Sequence, residues 1–357
     1  MPDIFDYLDW RGDIPITADG FNDADRVVLA QVTYLDFKGM VPENSPLPVP
    51  LGELCRRIVN DTGENSADRF HLHSDRQLAE RLIDCPRFKN LPVVYYDEKI
   101  DAETVEQFAA MTILLPDRTA ACLFRGTDWT LVGWKEDLNM ALSDELPAQL
   151  HAVEYINSVI SSLRGTVRIL GHSKGGNLAV YSAAFTKYSR NILEAVSLDG
   201  PGYTDRVLNS PGYRVIEPRI RTIIPYSSLV GVIFAHTGRY TIVSSSAPKL
   251  MQHDLYTWQI KGSGLVEVNA RDEASRLAEG ALNEWISGLS TEQRGQFIDG
   301  IWSVFETIGI TDLPDLLDGR NTIAVIRALT KLDEPTRNVI IDTLSKLRLA
   351  VKQQRSK

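Results

Sequence analysis

One stretch constrains this chain more than any other. Val167-Arg168-Ile169-Leu170 runs into Gly171-His172-Ser173-Lys174-Gly175 and on through Gly176-Asn177-Leu178-Ala179. Four residues with the texture of a buried strand end at a serine flanked by glycines two positions to either side, and small apolar helix formers follow as far as Thr186. The spacing predicts strand, sharp turn and helix, a context in which a G-x-S-x-G pattern leaves the serine alone on the bend with its hydroxyl clear of the backbone. Gly171 and Gly175 stand where any larger side chain would collide across the bend. A serine held there carries strain of about 1–3 kcal/mol, which a merely structural serine has no reason to bear. Because a chain with 24 glycines meets these letters by chance, the reading rests on the flanking strand and helix.

Composition excludes several classes of partner. At 357 residues and 43% hydrophobic content there is material for one large core, or a core with an appendage. A formal net charge of −9 argues against nucleic acid or an anionic membrane as the main partner. The first 13 residues hold Asp3, Asp6, Asp9 and Asp13 and lack the basic start and apolar centre of a signal peptide. No apolar run approaches transmembrane length, the longest candidate lying around residues 229–235, so a soluble cytoplasmic protein is expected. Cys55, Cys85 and Cys122 are odd in number and scattered, which implies neither a disulfide framework nor a zinc site. His71 and His73 are two apart but have no third ligand nearby, and neither a metal nor an organic cofactor is expected.

Residues 3–10 read as a short amphipathic opening and residues 22–34 as a helix packed on something larger. Residues 41–50, with Pro42, Pro46, Pro48 and Pro50, read as a connector without regular structure. Leu54 with Ile58 and Leu78 with Leu82 mark two further helices. Residues 111–115 and 119–124 are apolar on either side of Pro116-Asp117-Arg118, which predicts an antiparallel hairpin. Strands are expected at residues 195–198, 220–224 and 240–243, and strand-like texture returns at 255–260. Beyond Gly264 the texture is helical: Ala274, Leu277, Ala281, Leu282, Trp285 and Leu289 form one stripe, Ser290 with Gln293 a capping box, and Asp333 with Pro335 a last helix start.

After the hairpin comes Phe124-Arg125-Gly126-Thr127-Asp128-Trp129, then Trp134 and Asp137-Leu138. This run, followed by Gly171-His172-Ser173 and Gly175-Gly176, resembles the class 3 lipases of the α/β-hydrolase fold. The motifs from Asp6-Tyr7-Leu8 to Trp10-Arg11-Gly12-Asp13, Asp199-Gly200-Pro201-Gly202 and Gln252-His253-Asp254 with Trp258 are similar to a narrower bacterial family of class 3 lipase relatives without an assigned function. The resemblance implies a mostly parallel central sheet flanked by helices over residues 1–264, including the helical N-terminal region; the helical texture beyond Gly264 makes residues 265–357 a helical C-terminal extension. The resemblance also implies that Thr127 is an oxyanion-hole residue; from spacing alone Thr127 reads equally as a cap on the segment that begins at Asp128. The segment at residues 129–142 is then either the start of a mobile lid or a fixed amphipathic helix.

Attack by Ser173 on an ester places negative charge on the former carbonyl oxygen, and two donors must await it. One is the backbone N–H of Lys174, the residue after the nucleophile; the other must come from an earlier strand end, where Thr127 stands. The lysine is itself unusual, since a cation at a helix N-terminus opposes the macrodipole and calls for a counter-charge. His253 follows Ser173 in the chain order of α/β-hydrolases, Ser then acid then His. It competes with His172, which should pack under the turn, and with His236, which lies in an apolar run. The acid departs from the lipase pattern, because the stretch after residues 220–224 offers Ser227 and Ser228 where an aspartate is usual. Asp199, after the strand that follows the elbow helix, is the substitute, unless it only organises the turn at Gly200-Pro201-Gly202. Asp254, next to His253, is poorly placed to reach that ring. The expectation is a serine hydrolase acting on a carboxylic ester or lipid-like acyl substrate. The competing readings are a non-catalytic hydrolase scaffold and a thioesterase or peptidase with the same site.

Overall fold

The computed structural model describes residues 2–63, 70, 72–127, 131–140, 145–238, 240–308 and 332–354, and the statements below concern those. They divide into two compact units. The first comprises Met1–Lys99, Phe108–Gly126 and Ala148–Asp272, the second Ile100–Gln107, Thr127–Pro147 and Glu273–Lys357.

Eight strands form one sheet in chain order: β1 (Val49–Pro50), β2 (Pro92–Asp101), β3 (Glu106–Leu114), β4 (Ala120–Phe124), β5 (Val167–His172), β6 (Ile192–Leu198), β7 (Ile220–Pro225) and β8 (Thr241–Val243). β3 and β4 pair antiparallel, Ala110 opposite Phe124 and Leu114 opposite Ala120, which is the expected hairpin. From β4 to β8 every pairing is parallel. A parallel sheet buries both faces, and the strands accordingly read as continuous apolar runs split by alternation. Ala120, Cys122, Phe124, Val167, Ile169 and Ala195 join the core formed with helices Pro147–Leu163, Lys174–Phe185 and Pro211–Ile216. Ala121, Leu123, Leu170, Val196, Leu198 and Ile223 join the core formed with helices Ile4–Arg11, Asp23–Val32, Leu51–Val59 and His73–Leu82. Each large apolar side chain enclosed in this way contributes about 1.5–3 kcal/mol. Helices on both faces of a mostly parallel sheet, with a strand–elbow–helix at its centre, constitute the α/β-hydrolase fold.

Two expectations are corrected, and one strand is added. Val49–Pro50, inside the stretch expected to lack regular structure, pairs antiparallel with β2 through Val93 and Pro92. β2 itself is a strand that the sequence expectations do not include. Residues 255–260 are not one strand: Leu255–Thr257 is a 3-10 turn, Trp258 makes a single antiparallel bridge with Ser245, and Ile260–Lys261 pairs with Gly264–Leu265. The reason is local. Asp254 accepts from Tyr256 N through its side chain and from Thr257 N through its carbonyl, and Trp258 N donates to Leu255 O, so the backbone of residues 254–258 closes on itself before Thr257 O and Gln259 N meet Ser246 N and Ser244 O.

In the second unit the helices are Leu131–Asn139, Glu273–Ser287, Thr291–Ile308 and Glu334–Gln354. Both expected start signals are in place. Ser290 and Gln293 exchange backbone-to-side-chain bonds at 3.1 Å each, and Asp333 accepts from Thr336 N at 2.9 Å. Phe297, Ile298 and Ile340 form a small core with Trp285, whose indole N–H donates to Thr343 O at 2.9 Å. The segment expected as lid or helix is helical over Leu131–Asn139, with residues 128–130 and 141–144 outside the described set. No helix among the described residues is long and apolar enough to cross a membrane.

Candidate active site

At the carboxyl end of β5 the backbone reverses at Ser173, φ 57° and ψ −131°, and the helix Lys174–Phe185 begins at once. A serine in that region of backbone space is strained and must be over-determined by its surroundings. The surroundings are two glycines. A Cβ on Gly171 would lie 2.3 Å from the carbonyl carbon and oxygen of Gly175, and one on Gly175 would lie 2.2 Å from Phe124 O at the end of β4. Ser173 N donates to Leu198 O at 3.0 Å, tying the elbow to the end of β6. Gly126, just past β4, presses against the same bend: a Cβ there would lie 2.2 Å from the Tyr34 hydroxyl, 2.7 Å from His172 O and 3.0 Å from Ser173 Cβ.

β6 delivers Asp199, which is fully buried at φ 48° with its N–H on Ile223 O. One carboxylate oxygen stands 2.7 Å from His253 Nδ1; the other accepts from Ser228 Oγ at 2.5 Å and from Gly231 N at 3.1 Å. A carboxylate only accepts, which assigns the proton of the His253 ring to Nδ1 and leaves Nε2 as its basic nitrogen. Ser228, in the stretch where an aspartate was absent, thus serves the acid as a donor. The turn at Gly200-Pro201-Gly202 is held by other groups, Asn177 Nδ2 reaching Pro201 O at 3.2 Å and Gly202 O at 2.9 Å.

His253 ends the 3-10 turn Lys249–His253, and the residues around it explain the motif they form. Trp258 Nε1 donates to Gln252 O at 2.8 Å, the Gln252 side chain accepts from Ser227 N at 2.8 Å, and Asp254 accepts from Tyr256 N at 2.9 Å. Tyr256 in turn donates to the buried Asp75 at 2.7 Å. Asp254 is therefore a cap, and burial pushes its carboxyl above the usual range. No hydrogen bond joins Ser173 Oγ to the His253 ring among the described residues; such bonds are often long in a ligand-free site and tighten on binding.

His172 lies under the turn as expected, with Nδ1 2.8 Å from the Tyr34 hydroxyl and Nε2 2.8 Å from His253 O. Burial holds it well below the ordinary histidine range, so it is neutral. His236 packs edge-on to Tyr203 and Tyr240 and is pushed down to about 4, chiefly by burial. Lys174 is buried, with 1% of its surface exposed. The Thr127 hydroxyl donates to Asp137 Oδ2 at 2.5 Å, within the second unit. Its alternative role as a cap concerns Asp128, which lies outside the described residues. His73 Nε2 meets Gln77 Nε2 at 2.9 Å, and His71 lies outside the described residues. Among the described residues no group of three His, Cys, Asp or Glu side chains could hold a metal ion. The cysteines are buried, and burial pushes the Cys122 thiol up to about 12 and those of Cys55 and Cys85 upward as well, which makes them poor nucleophiles.

Sequence reading did not find Tyr34, Gly126 or Gly231 as neighbours of this site, and it placed Ser228 at the usual position of the acid without giving it a role. Gly126 carried a signal, as the glycine preceding Thr127; Tyr34, 138 residues from His172, carried none.

Residues 82–303, more than half of the chain, match the model of the family described as Mbeg1-like. No curated protein matches the chain. Among solved structures it is similar to the Rhizomucor miehei lipase propeptide complex, at 16% identity over 54% of this chain and 66% of that one, TM-score 0.33. The M37 lipase is similar at 12% identity over 58% and 68%, TM-score 0.36, and the Lip2 lipase from Yarrowia lipolytica at 13% over 68% and 93%, TM-score 0.35.

Proposed function

The chain belongs to the Mbeg1-like family, and on that premise we propose that it is a serine hydrolase that cleaves a carboxylic ester or a lipid-like acyl substrate through Ser173, His253 and Asp199. The observation that carries the reading is the 2.7 Å contact between Asp199 Oδ2 and His253 Nδ1, made at the carboxyl end of the sheet, where the strained Ser173 also sits. A buried carboxylate that orients an imidazole beside an elbow serine has a plain use in acyl transfer.

In this mechanism the Ser173 oxygen bonds to the acyl carbon while its proton passes to His253 Nε2. The oxyanion is met by the backbone N–H of Lys174 and, from the chain just beyond Gly126, by that of Thr127. Each such donor is worth about a hundred- to a thousandfold in rate. Collapse of the tetrahedral intermediate breaks the bond to the leaving alkoxide, which takes the proton from His253. Water then attacks the acyl-enzyme, with its proton passing to the same nitrogen, and the carboxylic acid leaves as the proton returns to Ser173. Asp199 keeps its charge throughout and stabilises the imidazolium. No step calls for a metal or an organic cofactor, and none draws a reacting group from the described helices beyond residue 264.

The test is labelling by a fluorophosphonate probe together with turnover of p-nitrophenyl esters. Wild type should label and turn over, and a folded Ser173→Ala variant should do neither. Equal turnover and labelling in the two proteins would take the nucleophile away from Ser173, and a wild type that neither labels nor turns over would move the reading to a binding scaffold.

A further inference from the structure

Resting on the serine-hydrolase reading, we infer that His172 is a positioning residue: its Nε2–H holds the main-chain carbonyl of His253, and Tyr34 fixes the tautomer that makes this possible. The direction of each bond follows from what the partners can do. The His253 carbonyl, 2.8 Å from His172 Nε2, can only accept, so the proton is on Nε2. Burial keeps the ring neutral, so Nδ1 is bare, and the Tyr34 hydroxyl 2.8 Å away must donate to it. A single arrangement satisfies all three residues.

His253 is then clamped at both ends, its ring by Asp199 and its carbonyl by His172, whose ring centroid is 4.5 Å from its own. The adjacent carbonyl of Gln252 is held in the same manner, by Trp258 Nε1 at 2.8 Å. The two donors differ in origin. Trp258 comes from the turn that carries the base, whereas His172 is the residue immediately before the nucleophile. One bond therefore ties the nucleophile's turn directly to the base's turn, and the spacing between Ser173 and His253 becomes a property of a single clamped unit. Misplacing a reacting group by about 1 Å costs on the order of a hundredfold in rate, so a tie of this kind bears on kcat and not on binding.

Glutamine and asparagine separate this role from mere filling of space. The glutamine amide nitrogen sits about as far from the backbone as Nε2 and can reach the His253 carbonyl; that of asparagine corresponds to Nδ1 and cannot. With p-nitrophenyl esters, His172→Asn and His172→Ala should lower kcat about a hundredfold with KM within about twofold of wild type, and His172→Gln should recover all but about tenfold. Hydrogen–deuterium exchange of the full-length proteins supplies a readout that needs no activity: residues 249–258 should exchange faster in the Asn and Ala variants than in wild type or His172→Gln. Tyr34→Phe, which leaves His172 in place but strips its Nδ1 of a donor, should also speed exchange there. Equal kcat and equal exchange in the Asn and Gln variants would overturn the inference. If wild type shows no Ser173-dependent turnover, it is the hydrolase reading that falls, and the exchange comparison still decides whether His172 holds the turn.

Discussion

Replacing Asp199 by asparagine should nearly abolish turnover while leaving the protein folded, and the geometry says why. Gly231 N is donor-only and, together with Ser228 Oγ, faces one oxygen of the side chain at 3.1 and 2.5 Å. The amide must present its oxygen to that side, because the opposite orientation would set two N–H groups against each other in a buried place. Its NH2 group then faces His253 Nδ1, which can satisfy it only by giving up its proton. The proton moves to Nε2, the nitrogen that has to accept from Ser173. In triads this exchange costs about 10⁴ in kcat, which at 1.36 kcal/mol per tenfold is about 5 kcal/mol of transition-state stabilisation. Folding should change little, since the bonds from Ser228 and Gly231 survive. The assay is kcat for a p-nitrophenyl ester at neutral pH, read beside a thermal melt. A loss below about tenfold in folded protein would refute the assignment of the acid, and a lowered melting temperature with unchanged activity per folded molecule would make Asp199 a structural residue.

Two other outcomes follow from the same geometry. Gly171→Ala places a methyl group 2.3 Å from main-chain atoms of Gly175 that cannot move aside, so chemical denaturation should show a loss of about 3 kcal/mol; a variant as stable as wild type would mean the elbow is not close-packed. His172 and His236 are both held neutral by burial, His236 down to about 4, yet each takes up a proton near pH 6.5 once unfolded. Their contribution to stability is complete above that pH and is lost as the pH falls, by up to about 1.4 kcal/mol per unit for each histidine. Urea midpoints between pH 6.5 and 5 should show this slope, and His236→Asn should remove one proton's share of it; an unchanged slope would contradict the burial of that ring.

What the sequence determined by itself is what short-range chemistry determines. Gly171, Ser173 and Gly175 announce the elbow because the collision they avoid involves atoms four residues apart or fewer, together with the end of one neighbouring strand. The hairpin of β3 and β4 turns on three residues. Ser290 with Gln293, and Asp333 with Pro335, are helix starts whose signals lie within three positions, and Asp333 does cap Thr336 N. Apolar runs reveal β5 and β6 because a parallel strand is covered on both faces. Where local bonds compete with strand pairing, as at Leu255–Thr257, the same texture misleads: Asp254 decides the outcome through one side-chain bond that hydropathy does not register.

The tertiary structure alone decided which groups meet. Asp199 and Ser228 are 29 residues apart, and Tyr34 and His172 are 138 apart. Neither pair is implied by spacing, because strand order and loop path set those distances and the intervening chain does not. The letters Gln252, His253, Asp254 and Trp258 were legible as a pattern, but the bonds that give the pattern its meaning form only when the 3-10 turn closes and brings an indole N–H onto a carbonyl six residues back. Which carboxylate faces the His253 ring was open for the same reason. A strand end and a turn 54 residues apart had to converge on one another before Asp199 could face that ring and Asp254 could become a cap.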